Sequence, residues 1–237
     1  AIDCLRTACG EASDITDSEF AVNMTDEASR FLKTHAKAAK PHLLRFLGEE
    51  HPFALGDWRM CHVISLLGDY PDRGLVVALV EKMLTSDDED YAQIYICLSL
   101  GKLNDADVAE QLLRAYPWEE SGRQNRLLVA AGESPSVKVV PQLKAWHEVA
   151  VGKRATYSPA GWPLGECEKA KGRAYQFNGP NEELRKLIDG RIAVRKAKLL
   201  AQHSEFGVQL NLKANNDKVN VGQKPGFTLV LTNTTDK

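Results

Sequence analysis

One pattern occurs three times in the chain, as Ser65–Asp69 (SLLGD), Leu98–Lys102 (LSLGK) and Val129–Glu133 (VAAGE). In each stretch an apolar run leads to a glycine, and the successive glycines are 33 and 31 residues apart. Proline or an Asn-Asp pair follows each glycine within a few residues, which is typical of a helix end and a turn. We therefore predict that each glycine ends a helix, in the left-handed conformation that glycine adopts without strain.

A second helix is predicted after each turn. Apolar residues recur along Leu75–Leu84, Val108–Tyr116 and Val139–Trp146 at spacings that place them on one helix face. An earlier pair is predicted upstream, with a first helix at 26–39 and a second that begins at Pro41. One such pair cannot bury its apolar stripe alone, so the repeat over 25–150 predicts helix pairs stacked into an α-solenoid. An unrelated helical bundle with coincidental spacing is the alternative.

The repeat resembles the short HEAT-like repeats, including those named after phycobilisome lyases. The likeness rests on the pattern Leu-Gly-x-x-x-Asp followed by an apolar helix and an acidic loop, and it is clearest over Trp58–Trp146. This resemblance implies a scaffold, adaptor or regulatory subunit. A minority of the family attach bilin chromophores. The arginine that is usual in the first helix is present near the expected place as Arg59 and Arg123, but Tyr91–Gln93 does not supply one.

Residues 151–204 are predicted to hold an insertion and a capping helix. Glycine and proline punctuate 151–180, which we expect to be an irregular but ordered segment packed on the helices through Trp162, Tyr175 and Phe177. Asn181 is predicted to cap a long helix over 181–202, in which Leu184 begins an apolar series.

The hydrophobic period changes to two after residue 205. Alternation along Val208–Leu212, Val219–Gly222 and Phe227–Asn233 predicts three strands separated by turns. The series resembles the opening strands of bacterial immunoglobulin-like domains, which implies that 205–237 starts such a sandwich. Because a sandwich of that class needs about 100 residues and seven strands, we expect the chain to be a fragment; strands that dock on the solenoid or on a partner are the alternative.

The predicted fold class is therefore mainly α. It comprises an N-terminal extension at 1–24, an α-solenoid of HEAT-like helix pairs at 25–150, the insertion and capping helix, and a short C-terminal β segment that is a partial immunoglobulin-like sandwich.

Composition and charge argue against several classes of function. The 237 residues include 30 Lys and Arg and 32 Asp and Glu, a balance that does not favour nucleic-acid binding. No apolar run approaches the roughly 20 residues needed to span a bilayer. The charge is uneven, however, at −7 over 85–121 and +6 over 151–200. This asymmetry favours either attraction within the molecule or an oriented docking surface. The candidates for such a surface are Asp87, Asp88, Glu89, Asp90, Arg185, Arg191 and Arg195.

The sequence contains no recognisable catalytic or metal-binding motif. None of the six histidines pairs at i, i+4 around a glutamate, and there is no Cys-x-x-Cys, phosphate loop or nucleophile elbow. Cys61 and His62 are adjacent, but neighbouring helix residues point about 100° apart, which favours a core cysteine over a nucleophile with its base. The acidic run Asp87–Asp90 lacks the spaced ligands of a Ca²⁺ loop. We predict no catalytic residue, no cofactor and no metal.

The five cysteines leave at least one thiol outside any intramolecular pair. Cys4 and Cys9 are close enough for a local disulfide, which an oxidising compartment would favour, and both states stay open. The chain begins at Ala1 rather than Met, as signal-peptide cleavage, proteolysis or a cloning decision would leave it. We expect a location outside the cytoplasm, periplasmic or secreted.

The predicted function is that of a non-enzymatic protein-interaction or scaffold module with a protein partner. One alternative is an accessory domain of an enzyme whose catalytic part lies outside this chain. The other, a bilin-lyase-like enzyme, is implied only by the resemblance of the repeat.

Overall fold

The computed structural model describes residues 27, 30–48, 58–86, 92–152, 158–205, 208–214 and 227–233, and this part of the chain is mainly helical. The α-helices are α1 (Ala36–Gly48), α2 (Trp58–Gly68), α3 (Gly74–Thr85), α4 (Ala92–Leu103), α5 (Val108–Ala115), α6 (Ser121–Glu133), α7 (Val140–Gly152), α8 (Gly161–Lys169) and α9 (Glu182–Glu205). Short 3₁₀ helices span Tyr116–Trp118 and Val137–Val139, and residues 30–34 are also helical. The chain divides into two compact units, Ala1–Asp189 and Gly190–Lys237.

The helices of the first unit pack in a recurring order. Helix α2 contacts α4, α4 contacts α6, and α6 contacts α8, so that the first helices of successive pairs lie side by side. The second helices pack on this row, since α3 contacts α4, α5 contacts α6 and α7 contacts α8. The largest fully buried side chains come from helices α1 to α6: Leu43, Ile64, Leu67, Leu75, Leu79, Met83, Ile96, Leu100, Leu103, Leu112, Leu113 and Leu127. Burial of each of these side chains stabilises the fold by about 1.5–3 kcal/mol relative to exposure.

Polar contacts between neighbouring pairs recur at the period of the sequence repeat. Lys40 pairs with Asp72, and Arg73 Nε lies 2.8 Å from Asp105 Oδ2, each over 32 residues of sequence. Lys102 Nζ lies 2.9 Å from Asp69 Oδ1, 33 residues before it. The repeat seen in the sequence is therefore also a repeat of contacts in space.

The repeat glycines do not adopt the left-handed conformation, and the prediction that they end their helices in this way is wrong. Gly68 is the last residue of α2, whereas Gly101 and Gly132 lie inside α4 and α6. Among the described glycines, a positive φ occurs at Gly172 (81°) and Gly179 (80°).

Close approach of the neighbouring helix explains the glycines instead. A Cβ on Gly68 would lie 2.7 Å from the Cβ of Ser99, and one on Gly101 would lie 2.8 Å from the carbonyl oxygen of Glu133. A Cβ on Gly132 would overlap the ring of Trp162. Real Cβ atoms do not tolerate such distances, so glycine is the residue that lets adjacent first helices pack at this point.

The boundaries of the first pair also differ from the prediction. Pro41 lies inside α1, and the interruption falls at the turn residue His35. A proline in this position removes one helical hydrogen bond. The helix continues nonetheless, because Leu43, Phe46 and Leu47 on the same helix are buried.

The segment predicted to be irregular contains helix α8. Pro163 lies in its first turn, where the missing N–H costs no helical bond. Leu164 and Cys167 join the core formed with Ala131 and Leu143. Glycine and proline concealed this helix in the sequence, and burial of its apolar side stabilises it.

The residues expected to pack this segment on the helices do contact them. Trp162 lies against Gly132, and Tyr175 Oη donates a hydrogen bond to the carbonyl of Pro135 at 3.0 Å. Phe177 forms a backbone bridge with Asp105.

The N-terminus of α9 confirms the predicted cap. The backbone N–H of Leu184 donates to Asn181 Oδ1 at 3.1 Å, which satisfies one of the free N–H groups of the first turn. The helix runs to Glu205, three residues beyond the predicted end.

The described part of the second unit contains two strands. Strands β1 (Val208–Ala214) and β2 (Phe227–Asn233) pair antiparallel, with Leu210 opposite Leu231 and Leu212 opposite Leu229. The predicted strand at Val219–Gly222 lies outside the described residues, as do the extension at 1–24 and the run Asp87–Asp90. In the part of the chain that the structure describes, no helix has the length and apolar character needed to cross a membrane.

Candidate interaction surface and its supporting clamp

Two aspartates are buried in the turn between α4 and α5. Asp105 and Asp107 expose 1% and 2% of their surface. Asn104, with a φ of 51°, starts this turn in the left-handed region, which asparagine tolerates better than most residues. The N–H of Asp107 donates to Asp105 Oδ1 at 3.1 Å, an Asx turn that fixes the loop locally. Two buried carboxylates would destabilise the fold unless other groups paired with them.

Asp105 is paired with one arginine and one asparagine. Arg73 donates from Nε to Oδ2 at 2.8 Å and from Nη2 to Oδ1 at 3.0 Å, which is the two-bond geometry of a strong arginine–carboxylate pair. Asn181 Nδ2 donates to Oδ2 at 3.0 Å. The aspartate thus joins the pair α2–α3 to the start of α9.

Asp107 is paired in the same way from the other side. Arg185 donates from Nε to Oδ2 and from Nη2 to Oδ1, both at 3.0 Å. The backbone N–H of Asn181 donates to Oδ2 at 2.8 Å, and Gln111 Nε2 donates to Oδ1 at 3.3 Å. Burial alone would raise the pKa of Asp107, but the hydrogen bonds from Arg185, Asn181 and Gln111 together lower this pKa below its ordinary value.

We call Arg73, Asp105, Asp107, Asn181 and Arg185 the loop clamp. Each of the four carboxylate oxygens in the clamp accepts two hydrogen bonds from the protein. An ionised carboxylate has about four lone-pair positions. No acceptor position of the clamp carboxylates is left for a metal ion or a substrate, and the cluster acts as a structural element.

Further hydrogen bonds hold the segment 173–181 on this turn and on Arg73, which lies just before α3. They run from Arg173 Nε to Asn104 Oδ1 (2.8 Å), from Asn104 Nδ2 to the carbonyl of Ala174 (2.9 Å), from the N–H of Ala106 to the carbonyl of Phe177 (3.0 Å) and from Arg73 Nη2 to the carbonyl of Gly179 (2.6 Å). Arg114 Nη2 also lies 2.5 Å from Asp189 Oδ1, so the first two turns of α9 lie beside α5.

The residues predicted to form a docking surface differ in their burial, in their partners and in the unit to which they belong. Arg185 forms an ion pair with Asp107 of the same chain. This pair is an attraction within the molecule, which is one of the two explanations that the uneven charge favours. Arg191 is half-buried and Arg195 is buried, and both belong to the second unit. Asp87, Asp88, Glu89, Asp90, Cys4 and Cys9 lie outside the described residues.

Helix α4 carries an apolar stripe on its exposed side. Ile94, Tyr95 and Leu98 expose 57%, 39% and 44% of their surface, at the i, i+1 and i+4 positions of one helix face. The opposite side of the helix is also apolar, with Ile96 and Leu100 fully buried. A helix that is apolar on all sides is normally covered on all sides. The exposed stripe therefore indicates a surface that another molecule can cover.

The stripe continues on the next two helices of the row. Val129 on α6 is 42% exposed, and it follows Leu98 by the same 31 residues that separate Gly101 from Gly132. Trp162 on α8, 47% exposed, packs beside it. A shallow cavity of about 330 Å³ lies here, lined by Asn125, Leu128, Val129, Pro159, Trp162 and Pro163. We call Ile94, Tyr95, Leu98, Val129 and Trp162 the exposed apolar face.

Charged residues of both signs lie near one edge of this face. The ends of α4 and α6 meet at Gly101 and Glu133, so the two helices begin at the same opposite edge. Glu120, which is exposed, immediately precedes α6, and its Oε2 lies 3.8 Å from Nη1 of Arg123 in the first turn of that helix.

The described cysteines do not form a reactive site. Cys61, Cys97 and Cys167 are buried thiols. Burial, together with the charge of Glu133, raises the pKa of Cys97 to about 12, and burial also raises the pKa of Cys167. A thiol with such a pKa is not a thiolate at neutral pH and is a poor nucleophile. Among the described residues, no group of three or more His, Cys, Asp or Glu side chains is placed to hold a metal ion.

Comparison with protein-family models, curated proteins and solved structures found no match to this chain.

Sequence reasoning missed the exposed apolar face and the loop clamp. The signal for the face is present in α4 (AQIYICLSLGKL), which carries apolar residues on its exposed side as well as on its buried side. The loop clamp cannot be predicted from the sequence. Arg73 is distant in sequence from Asp105, and Asp107 is distant from Arg185, so that only the tertiary structure pairs them.

Proposed function

We propose that the chain is a non-enzymatic protein-interaction or scaffold module in which HEAT-like helix pairs form an α-solenoid. The observation that carries the proposal is the recurrence of contacts at the period of the sequence repeat, as in Lys40–Asp72, Arg73–Asp105 and the close approaches at the repeat glycines. A stack in which each pair contacts its neighbours presents an extended surface that its own core does not need. Binding is the activity that such a surface supports most directly.

The loop clamp and the exposed apolar face support this function in different ways. The clamp commits its carboxylates to holding the turn and leaves them no role in chemistry. The exposed apolar face costs solvation free energy as long as it stays in water, and an interaction partner removes that cost.

Purification of binding partners tests this function. The full chain, tagged and immobilised, is incubated with native lysate of its source cell, and each recovered protein is then mixed in purified form with the chain. Direct binding of one purified protein at stoichiometric ratio supports the proposal. The absence of any direct protein partner, combined with turnover of a small molecule, would overturn it, and so would a covalent adduct with free bilin that persists after denaturation.

We further propose that the chain works outside the cytoplasm and that 205–237 begins an immunoglobulin-like sandwich. The antiparallel pairing of β1 with β2, with leucines opposite each other, supports the second part. A disulfide between Cys4 and Cys9 would support the first. Protein purified from its native source and denatured without reductant should then show three titratable thiols, those of Cys61, Cys97 and Cys167. Five thiols would contradict the disulfide.

A further inference from the structure

We propose that Asn178 is a site of spontaneous covalent modification, at which the backbone nitrogen of Gly179 displaces the side-chain amide and water then yields aspartate and isoaspartate. Isoaspartate at this position weakens the loop clamp. The reaction needs no enzyme and no reactant other than water, and it does not depend on the proposed function.

The sequence offers this reaction at one position. Asn178 is the only asparagine of the chain that is followed by glycine. A side chain on the following residue hinders the approach of its backbone nitrogen to the asparagine carboxamide, whereas glycine has no Cβ and gives the backbone its widest range of conformations. Asparagine is also one of the thermolabile residue types of proteins.

The structure leaves both reacting groups accessible. Asn178 and Gly179 are exposed and lie outside helices and strands, with a φ of 80° at Gly179. The carboxamide of Asn178 makes a single long hydrogen bond, from Nδ2 to the carbonyl of Tyr175 at 3.4 Å. The N–H of Gly179 donates no hydrogen bond to the part of the chain that the structure describes. The attacking nitrogen and the leaving group are therefore both available.

Two other asparagines near the same turn are held by their hydrogen bonds. Asn104 Oδ1 accepts from Arg173 at 2.8 Å, and its Nδ2 donates to a backbone carbonyl at 2.9 Å. Asn181 Oδ1 accepts from the N–H of Leu184, and its Nδ2 donates to Asp105. Each of these carboxamides would lose two hydrogen bonds before it could react, and neither asparagine precedes a glycine. We expect both to stay intact.

Arg73 contacts the peptide unit that reacts. Its Nη1 donates to the carbonyl oxygen of Asn178 at 3.4 Å, and its Nη2 donates to the carbonyl oxygen of Gly179 at 2.6 Å. When the Gly179 N–H loses its proton, the negative charge spreads to the Asn178 oxygen, because both atoms belong to one resonant peptide unit. The guanidinium stabilises this anion by its charge and its hydrogen bond. The loop clamp thus favours the first step of the reaction.

Water balances the atoms of the reaction. The Gly179 nitrogen gives its proton to the solvent and attacks Cγ of Asn178. The N–Cγ bond forms, the Cγ–Nδ2 bond breaks, and Nδ2 leaves as ammonia after it takes a proton from water. Water then opens the resulting succinimide ring. Cleavage of the new N–Cγ bond gives aspartate, whereas cleavage of the original peptide bond gives isoaspartate, in which the backbone runs through Cγ.

The modification reaches the loop clamp through Arg73. Isoaspartate lengthens the main chain by one carbon atom before Gly179, which moves the Gly179 carbonyl away from the arginine. The new carboxylate also competes with Asp105 for the same guanidinium. We therefore expect isoaspartate to loosen the start of α9. Aspartate keeps the length of the backbone and adds only the charge.

Peptide mapping by mass spectrometry tests the site. The purified full chain is incubated in neutral and in mildly alkaline buffer, beside a synthetic peptide with the sequence of residues 173–183 and blocked ends. We expect Asn178 to be the first asparagine of the chain to react, to give both products, and to react faster at the higher pH, since the Gly179 N–H must ionise. The native chain should react at least as fast as the peptide.

The matched control is Asn178→Gln, which keeps a carboxamide at the same place. Its longer side chain would have to close a less favourable six-membered ring, so position 178 should stay unmodified over the same time. Circular dichroism checks that this variant is folded.

The effect on the loop clamp is measured on the modified protein. Ion exchange separates it from the unmodified chain by its additional negative charge, and urea unfolding then compares the two. The isoaspartate form should have a lower urea midpoint. Asn178→Asp, which keeps the backbone length, should unfold closer to the wild type than the isoaspartate form does.

Three results of the mapping would overturn the inference. These are earlier reaction at another asparagine, a peptide that reacts while the native chain stays intact, and cleavage of the chain after position 178 in place of the two products. An isoaspartate form with the urea midpoint of the unmodified chain would show that the modification does not weaken the loop clamp.

Discussion

Gly68, Gly101 and Gly132 occupy equivalent positions, and at each the next helix of the row fills the space that a side chain would need. Two effects of opposite sign therefore act on a Gly→Ala substitution. Alanine favours a helix over glycine by about 1 kcal/mol, whereas forcing a methyl group into a close contact costs about 1–3 kcal/mol. The surroundings of each glycine decide which effect is larger.

We expect Gly101→Ala to lower the free energy of unfolding by about 1 kcal/mol, because its Cβ would lie 2.8 Å from a backbone carbonyl oxygen that cannot move independently. Gly165 in α8 is the matched control, since a Cβ there meets nothing within 4 Å, and Gly165→Ala should raise the free energy by about 0.5–1 kcal/mol. Urea unfolding followed by circular dichroism measures both. Shifts of the same sign in the two variants would contradict the close packing of α4 and α6.

Asn181 combines two roles in one side chain. Its Oδ1 accepts the N–H of Leu184 at the start of α9, and its Nδ2 donates to the buried Asp105. Loss of a helix cap costs about 1 kcal/mol, and loss of a hydrogen bond to a charged group costs about 1.5–3 kcal/mol.

Asn181→Ala is accordingly expected to destabilise the protein by about 2–4 kcal/mol. Asn178→Ala provides the comparison, because Asn178 is exposed and its amide makes a single long bond of 3.4 Å, and it should change stability by less than about 0.5 kcal/mol. Differential scanning calorimetry measures the two. If both variants have the melting temperature of the wild type, the loop clamp does not contribute to stability.

At the scale of the element, α4 and α6 each contact the helix before them and the helix after them in the row. Helix α4 contacts α2 on one side and α6 on the other, and its Lys102 pairs with Asp69 just after α2. Helix α8 extends the row, and Lys144 on α7 pairs with Glu168 on it at 2.8 Å. Exposed ion pairs of this kind add little stability, but they report directly which helices are neighbours.

Treatment with a zero-length carbodiimide should join Lys102 to Asp69 and Lys144 to Glu168 by amide bonds, since each pair lies within 3 Å. Peptide mass spectrometry identifies the products. The variant Lys102→Arg keeps the charge but has no amine to react, and should lose the first product alone. Products that link helices two or more repeats apart would contradict the stacking order.

At the scale of the molecule, ion pairs couple stability to pH. A hydrogen bond from Lys40 lowers the pKa of Asp72, and in Asp69 the bonds from Lys33 and Lys102 outweigh the burial that would raise its pKa. The pKa of Asp107 is lowered as well. A carboxylate whose pKa is lowered in the folded state contributes stability above its unfolded pKa of about 3.9, and this contribution is lost as the pH falls through the folded value.

From these three groups we expect the free energy of unfolding to stay constant between about pH 5 and 7. It should fall steeply below about pH 4, where the three carboxylates become protonated. Urea midpoints at pH 7, 5, 4, 3 and 2 measure this. Lys40→Gln removes the partner of Asp72 and should reduce the loss between pH 5 and pH 3. An identical pH profile in wild type and variant would show that this pair does not couple stability to pH.

Much of the helical order could be predicted from the residues. Apolar periodicity predicts α3, α5 and the start of α9, and the sequence predicts Asn181 as a cap, because these signals act within one or two turns of chain. The sequence does not predict helix α8, because its glycines and prolines outweigh its short apolar side locally. Pro41 predicts a helix boundary, but burial of the apolar side of α1 overrides it.

The sequence by itself determined that this chain is mainly helical and that its helices recur at a period of 31 to 33 residues, because propensity and apolar spacing are local properties. Only the tertiary structure decided what the repeat glycines do, which arginine neutralises which buried aspartate, and which apolar residues stay exposed. These properties depend on groups that are about 30 to 80 residues apart in sequence, and no local pattern specifies which of them meet.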